Sequence, residues 1–209
     1  MKKQDDTRYI ILNIAEQLFN TFGYDKTSMD DIANSAHKAK RSIYNHFQSK
    51  EELFKSVVSM ELEHAKKKLG HIFDNKNLLP SQKTKQYLIE RNKTLSKASV
   101  YKIWLQYKLK NNLQYATTEP NINDICLQFD RWEHDYFVSI VKDISQVLDE
   151  KQNFDSEAFV NMLQMIIKSM ETLFFVEKKY DEYNQTYNYM INLIIDSIVY
   201  KITSNNSAK

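Results

Sequence analysis

Residues 27–53 read TSMDDIANSAHKAKRSIYNHFQSKEEL. The spacing predicts two short helices joined by a tight turn, followed by a newly capped third helix. Thr27 is the expected N-cap of the first helix, and Asp30 completes a capping box that also complements the helix dipole. Ile32, Ala33 and Ala36 recur at helical spacing, and the small Ala33 allows a close, steep helix crossing. The second helix is expected over about 39–47, with Ile43 and Phe47 turned inward at i and i+4. Ser49 and Glu52 form a second capping box, which opens the next helix and brings Lys50 into its first turn.

Charge adds a second signal to the same stretch. No acidic residue lies between Asp31 and Glu51, while Lys38, Lys40, Arg41 and Lys50 all fall inside that gap. The whole chain is nearly balanced, with 29 Lys and Arg against 27 Asp and Glu. Positive charge is therefore gathered on one small helical unit, and duplex DNA is the ligand that this arrangement suits. Arg41 can read guanine edges and Asn45 adenine, while Lys40, Ser42, Tyr44 and His46 can hold phosphates. Free amides at the start of the third helix, with Lys50, suit a phosphate as well.

Residues 8–54 resemble the DNA-binding domain of the tetracycline-repressor-like (TetR) family of bacterial regulators. An apolar first helix ends at Phe22-Gly23-Tyr24, and Thr27-Ser28-Met29 leads into Asp31-Ile32-Ala33. Ser42-Ile43-Tyr44 then precedes Phe47, and Ser49-Lys50-Glu51-Glu52-Leu53 closes the series. Three adjacent positions depart from the family pattern: His37, Lys38 and Ala39 stand where a glycine, an aliphatic residue and a capping serine are usual. A left-handed backbone at His37 is possible, since the residue type is enriched there, but it is less comfortable than with glycine.

The resemblance implies an all-α protein of two parts. An N-terminal three-helix domain, 1–49, carries the helix–turn–helix, and residues 50–209 bind an effector and dimerise. The implied DNA-binding set is Thr27, Ser28, Lys38, Lys40, Arg41, Ser42, Tyr44, Asn45, His46 and Lys50. A twofold dimer, paired through its two C-terminal helices, would bind a palindromic double-stranded operator, usually as a repressor. Trp104, Tyr107, Phe129, Trp132, Tyr136, Met162 and Met165 fall where the family's effector cavity has its walls. A small hydrophobic or aromatic effector is the expected occupant.

Composition bounds the rest. Two glycines and two prolines in 209 residues leave little for strands and turns, so long amphipathic helices follow. The first is expected over about 5–22, with Ile11, Ile14, Ala15, Leu18 and Phe22 buried and Gly23 as its cap. The fourth runs from Lys50 towards Gly70 with Leu53, Val57, Met60 and His64 along one side. Helices are expected near 82–97 and 99–115, then a break at 117–123. A long helix with Ile125, Phe129, Trp132, Tyr136 and Ile140 follows, and a turn at 151–155. The last two helices, about 155–179 and 183–203, are the most apolar. Met162, Met165, Ile166, Ser169, Met170 and Leu173 mark one stripe, and Tyr187, Met190, Ile191, Ile194, Ile198 and Ile202 the other.

Other readings carry less. No signal peptide is evident, no apolar run is expected to span a membrane, and the lone Cys126 fits a reducing cytoplasm. His64 and His71 read as solvent-facing rather than as metal ligands, Asp130 and His134 as a local helix pair, and no cofactor is expected. There is no nucleophile–base motif or glycine-rich phosphate loop, so an enzyme is not expected. The alternative is a helical DNA- or partner-binding protein without a small-molecule switch. Whether the aromatic cluster encloses a void separates the two.

Overall fold

The computed structural model describes residues 2–110, 122–145 and 155–206, and among them every regular element is helical. In chain order these are α1 (Lys2–Lys26), α2 (Met29–Ser35), α3 (Lys40–Tyr44), α4 (Lys50–Asp74), α5 (Pro80–Leu95), α6 (Ser99–Lys110), α7 (Ile122–Ser145), α8 (Ser156–Glu171) and α9 (Tyr180–Asn206). A π-helical turn, Thr172–Val176, follows α8 directly. The all-α expectation holds. Most of the break expected at 117–123, and all but the last residue of the turn at 151–155, lie outside the described residues.

Two compact units form: Met1–His64 with Lys97–Cys126, and Ala65–Ser96 with Leu127–Lys209. The first therefore takes in α6 and most of α4, whereas the division expected at residue 49 stops where α4 begins.

In the first unit α1 buries Ile11, Leu12, Ala15 and Phe19. The expected stripe was drawn partly on the wrong side, since Ile14 and Leu18 are only half-buried and Phe22 is 56% exposed. Gly23 explains Phe22. Its backbone sits at φ 82°, ψ 169°, a region essentially reserved for glycine, and it breaks α1 into two runs. A Cβ there would meet nothing within 4 Å, so the conformation rather than space requires the glycine. On α4 the inward residues of this unit are Leu53, Phe54, Val57, Val58, Glu61 and Leu62. Met60 is half-buried and His64 exposed, which corrects the expected stripe.

The second unit is organised around a buried cation. Arg91 of α5 is fully buried, and its guanidinium donates through Nε to Glu133 of α7. Its Nη2 donates to Glu133 Oε2 at 3.0 Å and to Glu171 Oε1 of α8 at 2.6 Å. The Tyr87 hydroxyl also donates to Glu133. Lys168 reaches Asp130 at 2.6 Å and Glu171 at 3.3 Å, so the partner of Asp130 is a lysine on another helix rather than His134. Burial works against the Glu171 charge, but Lys168 and Arg91 more than offset it and hold that carboxyl below its usual range. The α9 helix packs on α5, and the Tyr187 hydroxyl donates to the Leu88 carbonyl at 3.2 Å.

Helix α8 buries a different row from the apolar stripe marked in the sequence. Val160, Leu163, Ile167 and Glu171 turn inward. Met162, Ile166, Met170 and Leu173 are half-buried, Ser169 is exposed and Met165 is 66% exposed. The segment Glu157–Val176 is long and apolar enough to cross a membrane by length and composition, contrary to the sequence expectation, and 33% of it is buried. Lys168 and Glu171 on that segment are held in the Arg91 network, so one face has a protein partner.

Candidate nucleic-acid interface

The helix–turn–helix is built by local hydrogen bonds. Ser28, not Thr27, caps α2: its hydroxyl accepts the Asp31 N–H at 3.1 Å, and the Asp31 carboxylate accepts the Ser28 N–H at 2.9 Å. The Ser28 hydroxyl also donates to that carboxylate, and these bonds hold the Asp31 carboxyl below its usual range. Thr27 is 2% exposed and donates inward to the Gly23 carbonyl at 2.8 Å. Its hydroxyl closes the broken end of α1, which fixes where α2 begins.

The turn adopts a left-handed conformation at His37, with φ 52°. The His37 N–H donates to Asn34 O at 3.1 Å, and the Lys38 N–H to Ala33 O at 3.0 Å. This is the paired closure by which helices commonly end on glycine, here made by histidine. Ala39 is extended at φ −63°, ψ 141° and caps α3 without a side-chain bond. The α3 helix is shorter than the 39–47 expected, covering Lys40–Tyr44. Ile43 and Phe47 are both fully buried, as their spacing predicted. At the next boundary Ser49 accepts the Glu52 N–H at 3.1 Å, while Glu52 reaches back to the Gln48 N–H at 2.6 Å rather than to Ser49 itself.

The side chains around this frame divide into free and committed groups. Arg41, Tyr44 and Asn45 are exposed, and Lys38, Ser42 and His46 are half-buried. Lys40 is exposed but ion-paired to Asp30 at 2.7 Å, and the hydrogen bond to Asp30 raises its pKa. The Lys50 ammonium donates to the Tyr24 carbonyl at 2.9 Å and lies 4.3 Å from the Tyr24 ring centroid. One cation escaped the sequence reading: Arg8 of α1, whose guanidinium lies 4.7 Å from the Phe47 ring and 3.5 Å from the Ser56 hydroxyl. It lies 39 residues before Phe47, so no local spacing could have marked it.

The residues assigned to an effector pocket fall into two groups. Trp104 and Tyr107 stack at 6.1 Å and line a cleft of about 370 Å³ in the first unit. Its other walls include Phe22 and Tyr24 beside the Gly23 break, and Glu51 and Phe54 of α4. Phe129, Trp132 and Tyr136 belong to the second unit, where successive rings pack at 5.4 and 5.0 Å and Phe73 stacks on Tyr136 at 4.2 Å. Phe73 also meets Trp132 edge to face at 6.2 Å. Met162 is half-buried, and Met165 points outward.

Residues 11–57, which span α1 through the start of α4, match the family described as bacterial regulatory proteins, tetR family. That segment is a DNA-binding domain of the TetR family. The chain is a DNA-binding transcriptional regulator, and the family is not one of enzymes. Over 63 residues it is 40% identical to the HTH-type transcriptional regulator YhgD of Bacillus subtilis strain 168, a match over 30% of this chain and 33% of that protein. Over 161 residues it is 26% identical to IcaR of Staphylococcus aureus strain Newman, covering 76% of this chain and 79% of the relative. IcaR is described as the negative transcriptional regulator of the biofilm operon icaADBC. The fold also matches FadR of Bacillus subtilis in complex with stearoyl-CoA, with TM-score 0.64, 17% identity and coverage of 91% and 97% of the two chains.

Proposed function

We propose that this TetR-family regulator is a repressor that binds a near-palindromic operator as a homodimer and is released by a small molecule. The observation that carries the reading is the exposed Arg41, Tyr44 and Asn45 on a frame anchored by buried Ile43 and Phe47. An arginine, a tyrosine and an asparagine on one short helix provide both base-reading and phosphate-holding groups. The half-buried apolar stripe of α8 supports association through the C-terminal helices, because a stripe of that length needs covering. Negative regulation by IcaR supports repression, and the acyl-CoA held by FadR supports a small-molecule switch. The site of action is the cytoplasm, where operator DNA lies.

Selection from random duplexes followed by quantitative binding tests this. Enrichment of an inverted repeat with two half-sites, bound by two chains, is the expected result. Enrichment of nothing, or of a single unrepeated site bound by one chain, overturns it.

A second reading, a DNA-binding protein without a small-molecule switch, draws on the second unit. Phe129 packs on Trp132 and Trp132 on Tyr136, and Phe73 meets both Trp132 and Tyr136, which supports a filled aromatic cluster in that unit. A ligand that releases the operator decides against it.

A further inference from the structure

We propose that the cleft beside the Gly23 break binds a small aromatic or alkyl organic cation, and that its occupant biases operator binding from within the DNA-binding unit. The regulatory half of this rests on the repressor reading; the binding half does not.

The cleft holds about 370 Å³, within the range of small-molecule sites. Phe54 and Trp104 are nearly buried, 5% and 7% exposed, and Tyr107 stands half exposed. Tyr24 meets Phe54 edge to face at 4.9 Å, and Trp104 offers its stacked pair with Tyr107. Aromatic faces attract cations through the ring quadrupole. Tyr24 already shows this preference, because the Lys50 ammonium rests on its ring.

Charge selects among occupants that fit. Asp25 and Glu51 bring two carboxylates to the walls, and Lys26 brings the one ammonium among them. Asp25 and Glu51 have no ion-pair partner among the described residues. The negative field reaches the aromatic wall: burial first, then Glu51, Tyr107 and Asp25 raise the Tyr24 pKa. An anionic occupant would meet repulsion there, and a neutral one would desolvate carboxylates without compensation. A cation meets both the rings and the charge.

The position links occupancy to DNA. Gly23 and Tyr24 supply the carbonyls that receive Thr27 and Lys50, so the break that shapes the cleft also sets the entries to α2 and α4. An occupant that favours one geometry of this break shifts the operator equilibrium by its differential affinity for the two states.

The test uses a Trp132→Phe chain, in which Trp104 is the only tryptophan, titrated without DNA. Benzyltrimethylammonium should change Trp104 emission saturably, and phenylacetate should bind at least about tenfold more weakly. Asp25→Asn with Glu51→Gln should weaken the cation about tenfold, and Lys26→Gln should strengthen it. No saturation by the cation up to about 10 mM, equal binding of the anion, or indifference to all three substitutions overturns the site. Operator affinity is then read with and without the cation, and saturable binding that leaves it unchanged overturns the regulatory half. If the chain binds no operator even without a probe, the repressor reading fails, while the DNA-free titration still decides the site.

Discussion

The Glu61 carboxylate, midway along α4, accepts the Tyr101 backbone N–H at 2.7 Å, and its other oxygen accepts the Val100 N–H at 3.0 Å. These amides belong to the first turn of α6, where a helix has donors without partners of its own. A side chain 39 positions away in sequence thus caps α6, and it does so while 6% exposed.

That burial makes a pH prediction. Burial pushes the Glu61 carboxyl up to about 7, against the pull of its two amide donors. A folded pKa raised above the unfolded value favours the folded state most below about 4.5, and the contribution is lost as pH rises through about 7. Urea unfolding of the wild type and Glu61→Gln, compared from pH 4.5 to 8, should show wild-type stability falling relative to the variant by up to ~3 kcal/mol. A pH-independent difference would count against burial as the controlling term.

On the DNA-binding face Arg41 and Lys40 should not behave alike. Arg41 is exposed, whereas Lys40 is held by Asp30. Arg41→Ala should weaken operator binding by about 1–3 kcal/mol and relax base preference if it reads guanine. Lys40→Ala should cost less, because its ammonium must first leave Asp30. Asp30→Asn should tighten binding to all duplexes and steepen the salt dependence. Anisotropy titrations at several salt concentrations measure all three, and equal losses from Arg41 and Lys40 would contradict the ion pair.

Some of this was legible because the chemistry is local. Ile43 with Phe47, Ser49 with Glu52 and the acid-free gap before Glu51 are patterns within one or two helical turns. Thr27 shows where locality fails. Thr27-Ser28-Met29-Asp30-Asp31 offers two overlapping capping frames, and only the packing of Thr27 against Gly23 selects Ser28. The inward row of α8 was open for a related reason. Val160, Leu163 and Ile167 repeat at the same period as Met162, Ile166 and Met170, so periodicity alone could not say which row turns inward. The Arg91 partners lie 42 and 80 residues away, beyond any local rule.

The Arg91 network predicts a non-additive stability series. Arg91→Met would leave Glu133 and Glu171 buried beside Lys168 alone, and should destabilise by about 3–5 kcal/mol. Replacing Arg91, Glu133 and Glu171 together with Met, Leu and Leu should cost less than the single change, because no uncompensated charge remains. Urea melts of the two variants decide it. A triple variant much less stable than Arg91→Met would show that the network does more than neutralise itself.

The last prediction separates the two sides of the C-terminal helices. Ile194 lies on the apolar stripe expected at a seam between chains or in the adjoining core; it is 8% exposed, and Ile191 and Tyr187 on the same side are buried within their own unit. The outward apolar row is instead on α8, where Met165 is 66% exposed among half-buried Met162, Ile166 and Met170. Ile194→Asp should therefore destabilise the chain, by burying a charge with no partner in its own unit. Met165→Asp should leave the fold intact and weaken self-association, because a carboxylate there is solvated in one chain and buried only between two. Sedimentation at micromolar concentration, paired with thermal melts, distinguishes them. A Met165→Asp protein that melts like wild type yet sediments as a monomer, with operator affinity falling as the second half-site is lost, is the expected outcome. Unchanged association with unchanged melting would move the dimer seam away from α8.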